Sequence, residues 1–179
     1  MKFITTIAAL LTAACQVTAK TITIEVGHKG NPYFKPDYSK ADVGDVIEFQ
    51  FDSKEHSVVQ GNFFTGCYPI ADGGFYSGMQ TSQNVFRVTV KNSDPIMVYS
   101  SSGLECQLGM VAVINADGLQ TLTAYRAKAK TSFKNTSPDK PFGGELKKSD
   151  TKTWTSSASA PSYAMPVAGL ALFAAAALA

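Results

Sequence analysis

Two histidines and one twelve-residue segment carry the most evident chemistry in this chain of 179 residues. The segment is YSSSGLECQLGM, residues 99–110, in which Glu105 precedes Met110. The imidazoles of His28 and His56, together with the Glu105 carboxylate, make a donor set that can bind Cu(II) or Zn(II). The Met110 thioether would add a weak, soft ligand. These four residues are therefore candidate metal ligands.

Ser100 raises the alternative of a hydrolase, because a hydroxyl, an imidazole and a carboxylate can together make a catalytic triad. No nucleophile-elbow sequence surrounds Ser100, which lies in the run YSSSG. We therefore expect no enzymatic activity.

The elements that must position these residues are short β-strands. Six runs are rich in β-branched and aromatic residues, and several alternate with the period of two that half-buried strands show. Turn sequences such as Val43-Gly44-Asp45 separate the runs. Six strands in about 100 residues predict an all-β, two-sheet sandwich, with no amphipathic helix. The predicted strands cover residues 21–26, 46–51, 57–60, 85–90, 96–100 and 110–115.

The runs VGDVIEFQF, EHSVVQ and VYSSSGLECQLGM carry a family resemblance. In this order, with a cysteine 11 positions after His56, they resemble the cupredoxin family. The chain is most similar to the phytocyanin-like, extracellular serine-rich cupredoxins of fungi. The resemblance implies a Greek-key β-sandwich over residues 20–118, with copper ligands gathered at one end.

The resemblance also assigns the ligand positions. His56 matches the first histidine ligand and Met110 the weak axial ligand, whereas Ser100 replaces the ligand cysteine and Glu105 the second histidine. A blue-copper site needs two imidazoles and a thiolate. Two of the four ligands are therefore missing, and we expect no cofactor. A remodelled Cu or Zn site at His56, Glu105, Met110 and His28 is the alternative.

The cysteines indicate export and one disulfide. Cys15 lies in the N-terminal apolar run, so its removal would leave Cys67 and Cys106 as a pair in an oxidising compartment. The family resemblance implies the same Cys67–Cys106 bond.

Both ends of the chain resemble processing signals. Residues 1–19 read as a signal peptide with cleavage after Ala19, because one lysine precedes an apolar run that ends in small residues. Residues 158–179 read as the propeptide of a glycosylphosphatidylinositol (GPI) anchor, with a small-residue patch, a polar spacer and an apolar tail. We predict lipid attachment at Ser157, with Ser156 as the alternative.

Composition changes near residue 118. Residues 20–118 carry 7 Lys and Arg against 11 Asp and Glu, a net charge of −4, whereas residues 119–160 carry 8 against 3, a net charge of +5. Because the second segment is polar and rich in Pro and Gly, residues 119–157 are predicted to form a flexible basic stalk. The stalk contains Asn135-Thr136-Ser137, a candidate N-glycosylation site at Asn135.

These features predict a protein of the cell surface, anchored by lipid to the plasma membrane or the cell wall. Its expected role is binding or structural, with a cell-wall glycan or a surface protein as the partner besides the membrane. A surface metal-binding or redox role is the alternative. We expect no nucleic-acid partner.

Overall fold

The computed structural model describes residues 18–52, 54–81 and 84–148. Its elements are short, as the turn sequences predict. In chain order they are β1 (Thr21–Val26), β2 (Phe34–Lys35), β3 (Tyr38–Ser39), β4 (Val46–Phe51), β5 (Val59–Gly61), β6 (Asn84–Thr89), β7 (Ile96–Tyr99), β8 (Val111–Ile114), α1 (Leu122–Lys130) and β9 (Glu145–Lys148).

The strands form two sheets. A five-stranded sheet has the order β2-β1-β4-β6-β9, and a four-stranded sheet has the order β3-β8-β7-β5. The pairs β1–β4 and β3–β8 are parallel, and the other pairs are antiparallel. The arrangement confirms the predicted all-β sandwich.

The main core lies between the sheets, where side chains such as Phe49, Phe86 and Val98 are almost fully buried. Strands β7 and β8 are buried on both faces. Their alternate residues, including Tyr99 and Val113, point away from this core into a second apolar cluster. A second layer must therefore cover the outer face of the four-stranded sheet.

Helix α1 provides that layer. It begins after Thr121, whose Oγ1 accepts a 3.2 Å hydrogen bond from the amide of Ala124. Tyr125 and Ala129, one turn apart, are fully buried in the second cluster. The prediction of a flexible stalk is therefore wrong for residues 119–148, which fold onto the sandwich and end in strand β9.

The prediction that the folded domain ends at residue 118 was wrong because α1 buries few side chains. Its other residues are mostly exposed, and four of its nine residues are Arg, Lys or Thr. Composition therefore made the helix resemble a solvated linker, although Tyr125 and Ala129 anchor it to the second cluster.

Several predicted features lie outside the described residues. They are residues 1–17 of the signal peptide, residues 149–157 of the stalk, the anchor residues Ser156 and Ser157, and the propeptide 158–179. Among the residues that the structure describes, no helix is long and apolar enough to cross a membrane.

Candidate functional site

The 100–110 loop connects β7 to β8 at one end of the sandwich. Its base is closed by backbone hydrogen bonds, 3.2 Å from the Ser100 amide to the Met110 carbonyl and 2.8 Å from the Met110 amide to the Glu105 carbonyl. Cys106 forms the predicted disulfide with Cys67. Ser100 and Met110, both fully buried, thus lie opposite each other beneath the loop.

His56 approaches the same loop from a neighbouring segment. Two backbone hydrogen bonds with Gln80 hold it in place, and its side chain is 1% exposed. His56 Nδ1 lies 2.9 Å from Glu105 Oε2, and Ser100 Oγ donates a 2.7 Å hydrogen bond to the same oxygen. Because an ionised carboxylate only accepts, Nδ1 carries the proton that it shares with Glu105. We call His56, Ser100 and Glu105 the carboxylate cluster.

The carboxylate cluster is not a hydrolase relay. A triad requires the imidazole to bond the nucleophilic hydroxyl as its base. Here the Ser100 hydroxyl and the His56 imidazole both bond the carboxylate of Glu105. The hydroxyl therefore donates its hydrogen bond to the Glu105 carboxylate and not to the His56 imidazole.

A chain of serine hydroxyls connects the cluster to the exposed Ser137. Ser100 Oγ accepts a 3.1 Å hydrogen bond from the amide of Ser57, and Ser57 Oγ lies 2.8 Å from Ser101 Oγ. Ser137 Oγ donates to Ser101 Oγ at 2.7 Å. Each buried hydroxyl therefore has a polar partner, which removes the cost of leaving it unsatisfied.

Asn135 joins the loop to the segment after α1. Its Nδ2 donates to the carbonyl oxygens of Ser100, at 3.1 Å, and Gly103, at 3.0 Å. The neighbouring Thr136 carbonyl accepts a 2.5 Å hydrogen bond from the Tyr99 hydroxyl. Burial raises the pKa of Tyr99 well above its ordinary value, so this phenol stays protonated as a donor.

Sequence reasoning missed Ser57, Ser101, Ser137 and Asn135 as parts of the site. Serine and asparagine carry no spacing signal, and two of the four stand in the segment that composition assigned to a stalk. The glycosylation triplet at 135–137 was the one local sequence pattern that marked this segment. In the structure, the Asn135 amide and the Ser137 hydroxyl of that triplet form hydrogen bonds to residues of the site.

The structure does not bring His28 into the carboxylate cluster. Its Nδ1 bonds the Glu25 carboxylate, and its Nε2 lies 3.4 Å from Lys35 Nζ. The adjacent Gly27, at φ +82°, packs directly on the other histidine, since a Cβ atom there would lie 2.2 Å from His56 Nε2. That nitrogen is buried and has no hydrogen-bond partner among the described residues.

The donors beneath the loop do not fit a blue-copper centre. A thiolate and a second imidazole are absent, and a hydroxyl and a carboxylate stand in their positions. The carboxylate oxygen is already bonded to both His56 and Ser100. Within residues 18–52, 54–81 and 84–148, no group of three or more His, Cys, Asp or Glu side chains is arranged to hold a metal.

Comparison with known proteins places this geometry in a family. The chain is 34% identical over 145 residues to a protein named probable GPI-anchored cupredoxin-1 from Arthroderma benhamiae, covering 80% of this chain and 75% of that protein. It is 32% identical over 134 residues to an extracellular serine-rich protein of the same organism, covering 72% of this chain and 52% of that protein.

Two further comparisons are weaker. No protein-family model matches the chain. Among solved structures, a pseudoazurin from Sinorhizobium aligns with a TM-score of 0.42 and 17% identity, covering 64% of this chain and 94% of that chain. Because the chain is 34% identical to the GPI-anchored cupredoxin and covers 75% of that protein, it belongs to the fungal cupredoxin-like family of cell-surface proteins.

Proposed function

We propose that this protein is a lipid-anchored protein of the cell surface with a binding or structural role. Its domain retains the cupredoxin scaffold but replaces the blue-copper centre with a hydrogen-bonded network. The observation that carries the proposal is the single carboxylate oxygen, Glu105 Oε2, that bonds both His56 Nδ1 and Ser100 Oγ.

The network is incompatible with copper redox chemistry for a chemical reason. A serine hydroxyl stays protonated near neutral pH, and a carboxylate is a hard oxygen donor that suits Cu(I) poorly. Electron transfer requires that both oxidation states be held, and only one imidazole and one thioether of the original set remain. The network instead ties the loop to the His56 segment, because Glu105 Oε2 bonds both His56 and Ser100 in a largely buried site.

The anchor would hold the domain near the membrane. One relative is named a probable GPI-anchored cupredoxin. The C-terminal tail of this chain has the small-residue patch, polar spacer and apolar segment of an anchor signal. Because the fold continues to Lys148, only residues 149–156 would separate it from a lipid at Ser157. Eight extended residues span at most about 28 Å. The domain would then act close to the lipid surface.

Metal analysis combined with ligand restoration tests the proposal. The wild-type protein, purified without a metal-binding tag and incubated with Cu(II), should release the metal on dialysis and stay colourless. The double variant Ser100→Cys with Glu105→His restores the missing thiolate and imidazole beside His56 and Met110. It should bind copper and show an intense blue thiolate-to-copper absorption band.

The single variants are the matched controls. Ser100→Cys alone lacks the second imidazole, and Glu105→His alone lacks the thiolate, so neither should become blue. A wild-type protein that retains stoichiometric Cu or Zn through dialysis, and loses it in His56→Ala, would establish the remodelled metal site in place of this proposal. A folded double variant that binds no copper would show that these positions do not form one site.

A further inference from the structure

A second concave surface lies on the side of the sandwich and shares no residue with the 100–110 loop. It opens between the loop of residues 70–74 and the turn of residues 91–95, with a volume of about 320 Å³. Ligand pockets usually measure about 300–1,000 Å³. We call this surface the side cleft. A depression of about 520 Å³ continues from it along strand β9 and shares Thr89, Lys91 and Gly143 with it.

The walls of the side cleft are held by backbone contacts. The Gln60 amide donates to the Phe75 carbonyl at 2.9 Å, and the Ile70 amide donates to the Gln60 carbonyl at 3.0 Å. A Cβ atom at Gly143 would lie 2.2 Å from the Gly74 carbonyl oxygen. The absence of a side chain at Gly143 therefore lets its segment approach the 70–74 loop closely. The cleft is therefore preformed, which lowers the entropy cost of binding.

The rim carries polar side chains that the fold does not use. Within the described residues, the side chains of Gln60, Asp72, Lys91 and Asp94 make no hydrogen bond or ion pair, although each lines the cleft. Together they present amide, carboxylate and ammonium groups, which include both donors and acceptors. Such groups can bond a ligand without first breaking a contact in the protein.

The neighbouring charges are neutralised within the protein. Arg87 pairs with Glu48 at 2.5 Å, and Lys147 pairs with Glu145 at 2.9 Å. The remaining ionic groups of the side cleft are of both signs. Asp72, Asp94 and Lys91 sum to a net charge of −1, which disfavours a polyanion and is too small to recruit a polycation.

The floor beneath the rim is apolar but narrow. Phe75 is 2% exposed and Ile96 7% exposed, so both belong to the core. Ile70 at 36% exposure and the half-buried Pro95 are the apolar side chains within a ligand's reach. A large apolar ligand would find little surface here, whereas a ring with polar edges and an aliphatic face would match the floor and the rim together.

We propose that the side cleft binds a neutral hexopyranose polysaccharide. A pyranose ring offers hydroxyl groups around its edge, which both donate and accept, and C–H groups on its faces. The edge hydroxyls suit the Asp72 and Asp94 carboxylates, and the C–H face suits Ile70 and Pro95. The continuation along β9 gives a polymer room beyond one sugar. This inference deepens the proposed surface role and names its ligand class, but it does not depend on the state of the carboxylate cluster.

Titration of the purified full chain with a panel of hexasaccharides tests the inference. The panel contains laminarihexaose, cellohexaose, chitohexaose and mannohexaose, monitored by amide chemical shifts at concentrations that detect a dissociation constant of about 1 mM. We expect saturable shifts at residues 70–75 and 91–95 with one glycan class. Asp72→Asn and Asp94→Asn should each weaken binding about tenfold, because each removes a charge-assisted hydrogen-bond acceptor.

Asp139→Asn is the matched control, since Asp139 is exposed and outside the side cleft. It should leave the affinity unchanged, and the amide spectra of all variants should show an intact fold. The inference fails if no glycan of the panel binds, if both cleft variants bind as well as wild type, or if the shifts fall on the 100–110 loop. A peptide or a sulfated polysaccharide that displaces the neutral glycan from these residues and binds more tightly would also overturn it. The copper result above is independent of each of these outcomes.

Discussion

The Tyr125 hydroxyl of α1 donates a 3.1 Å hydrogen bond to the carbonyl oxygen of Gly66, next to the disulfide residue Cys67. The ring is fully buried against the outer face of the four-stranded sheet. Gly61 leaves room for it, since a Cβ atom there would lie 2.1 Å from the hydroxyl oxygen. One residue of a predicted stalk is thus part of the folded core.

Tyr125→Ala should lower the free energy of unfolding by about 3–5 kcal/mol, because it empties a fully buried aromatic site. Tyr125→Phe keeps the ring and loses only the bond to Gly66, so it should cost about 1 kcal/mol. Urea unfolding at equilibrium measures both values. Phe133→Ala serves as the control, because Phe133 is 89% exposed and its loss should change stability by less than about 0.5 kcal/mol. Equal effects at Tyr125 and Phe133 would contradict the packing of α1.

The sequence predicted the strands better than it predicted the end of the domain. The runs 21–26 and 46–51 coincide with β1 and β4, because alternating β-branched and aromatic residues have few other stable arrangements. Strands β2 and β3 were missed because two residues carry no periodicity. Strand β9, with the sequence ELKK, pairs with β6 at the sheet edge and is exposed throughout. Its lysines suit an edge strand, but in a sequence they read as a solvated linker.

The sequence predicted the residues of the site only where their spacing matches that of the family's ligand loop. Ser100, Glu105 and Met110 keep the intervals of the family loop, so their convergence with His56 followed from the resemblance. His28 had no such interval, and its imidazole bonds Glu25 and Lys35. The serine chain depends on contacts between segments more than 30 residues apart, which no local pattern encodes.

Removal of the disulfide should destabilise the domain and loosen the 100–110 loop. The bond closes a loop between residues separated by 39 positions, which corresponds to about 4 kcal/mol in the chain-entropy model. The double variant Cys67→Ala with Cys106→Ala should lose stability on this scale in urea unfolding. Amide exchange at Met110 should accelerate more than exchange in β4, which is remote in sequence from the disulfide. Alkylation of both cysteines in the native oxidised protein would show that the bond is not formed.

Asn135 should remain unglycosylated. Its Nδ2, the atom that would carry the glycan, already donates to Ser100 and Gly103, and Pro138 follows the triplet. The mass of the secreted protein should therefore not change on treatment with an N-glycosidase, and Ser137→Ala, which removes the triplet but keeps the Asn135 amide, should change the mass only by the substitution itself. Asn135→Asp should cost about 1–3 kcal/mol, because a carboxylate cannot donate to two carbonyl oxygens. A glycan found on Asn135 would mean that this amide does not hold the loop.

Retention at the cell surface should depend on the lipid anchor. Treatment of intact cells with a phosphatidylinositol-specific phospholipase should release the protein, and a chain that ends after Ser157 should be secreted without treatment. Ser157→Pro should reduce anchoring more than Ser162→Pro if Ser157 is the attachment residue. Protein that stays with the cells after the phospholipase and after truncation would argue against the anchor at this position.

Lys20 is the expected first residue of the mature chain and lies beside a buried carboxylate, Asp45. Its backbone nitrogen donates a 3.0 Å hydrogen bond to Asp45, a residue that is only 4% exposed. Hydrogen bonds from the backbone of Lys20 and of Asp42 hold the pKa of Asp45 below its ordinary value of 3.8. A depressed pKa means that the charged carboxylate stabilises the fold above pH 3.8, and that this stability is lost as the pH falls further. Cleavage after Ala19 would turn the bonded nitrogen into an ammonium group and strengthen the pair.

N-terminal sequencing of the mature protein should therefore begin at Lys20. The urea concentration at the unfolding midpoint of wild type should decrease when the pH is lowered below about 4. Asp45→Asn should be less stable than wild type at pH 6, and its midpoint should not show this decrease. Asp139→Asn, an exposed carboxylate change, should follow the wild-type curve. A preparation that keeps Thr18 and Ala19 ahead of Lys20 has no ammonium group at that position, and Asp45→Asn should destabilise it less than it destabilises the mature chain. Equal losses in the two preparations would show that the processed terminus contributes nothing to the pair.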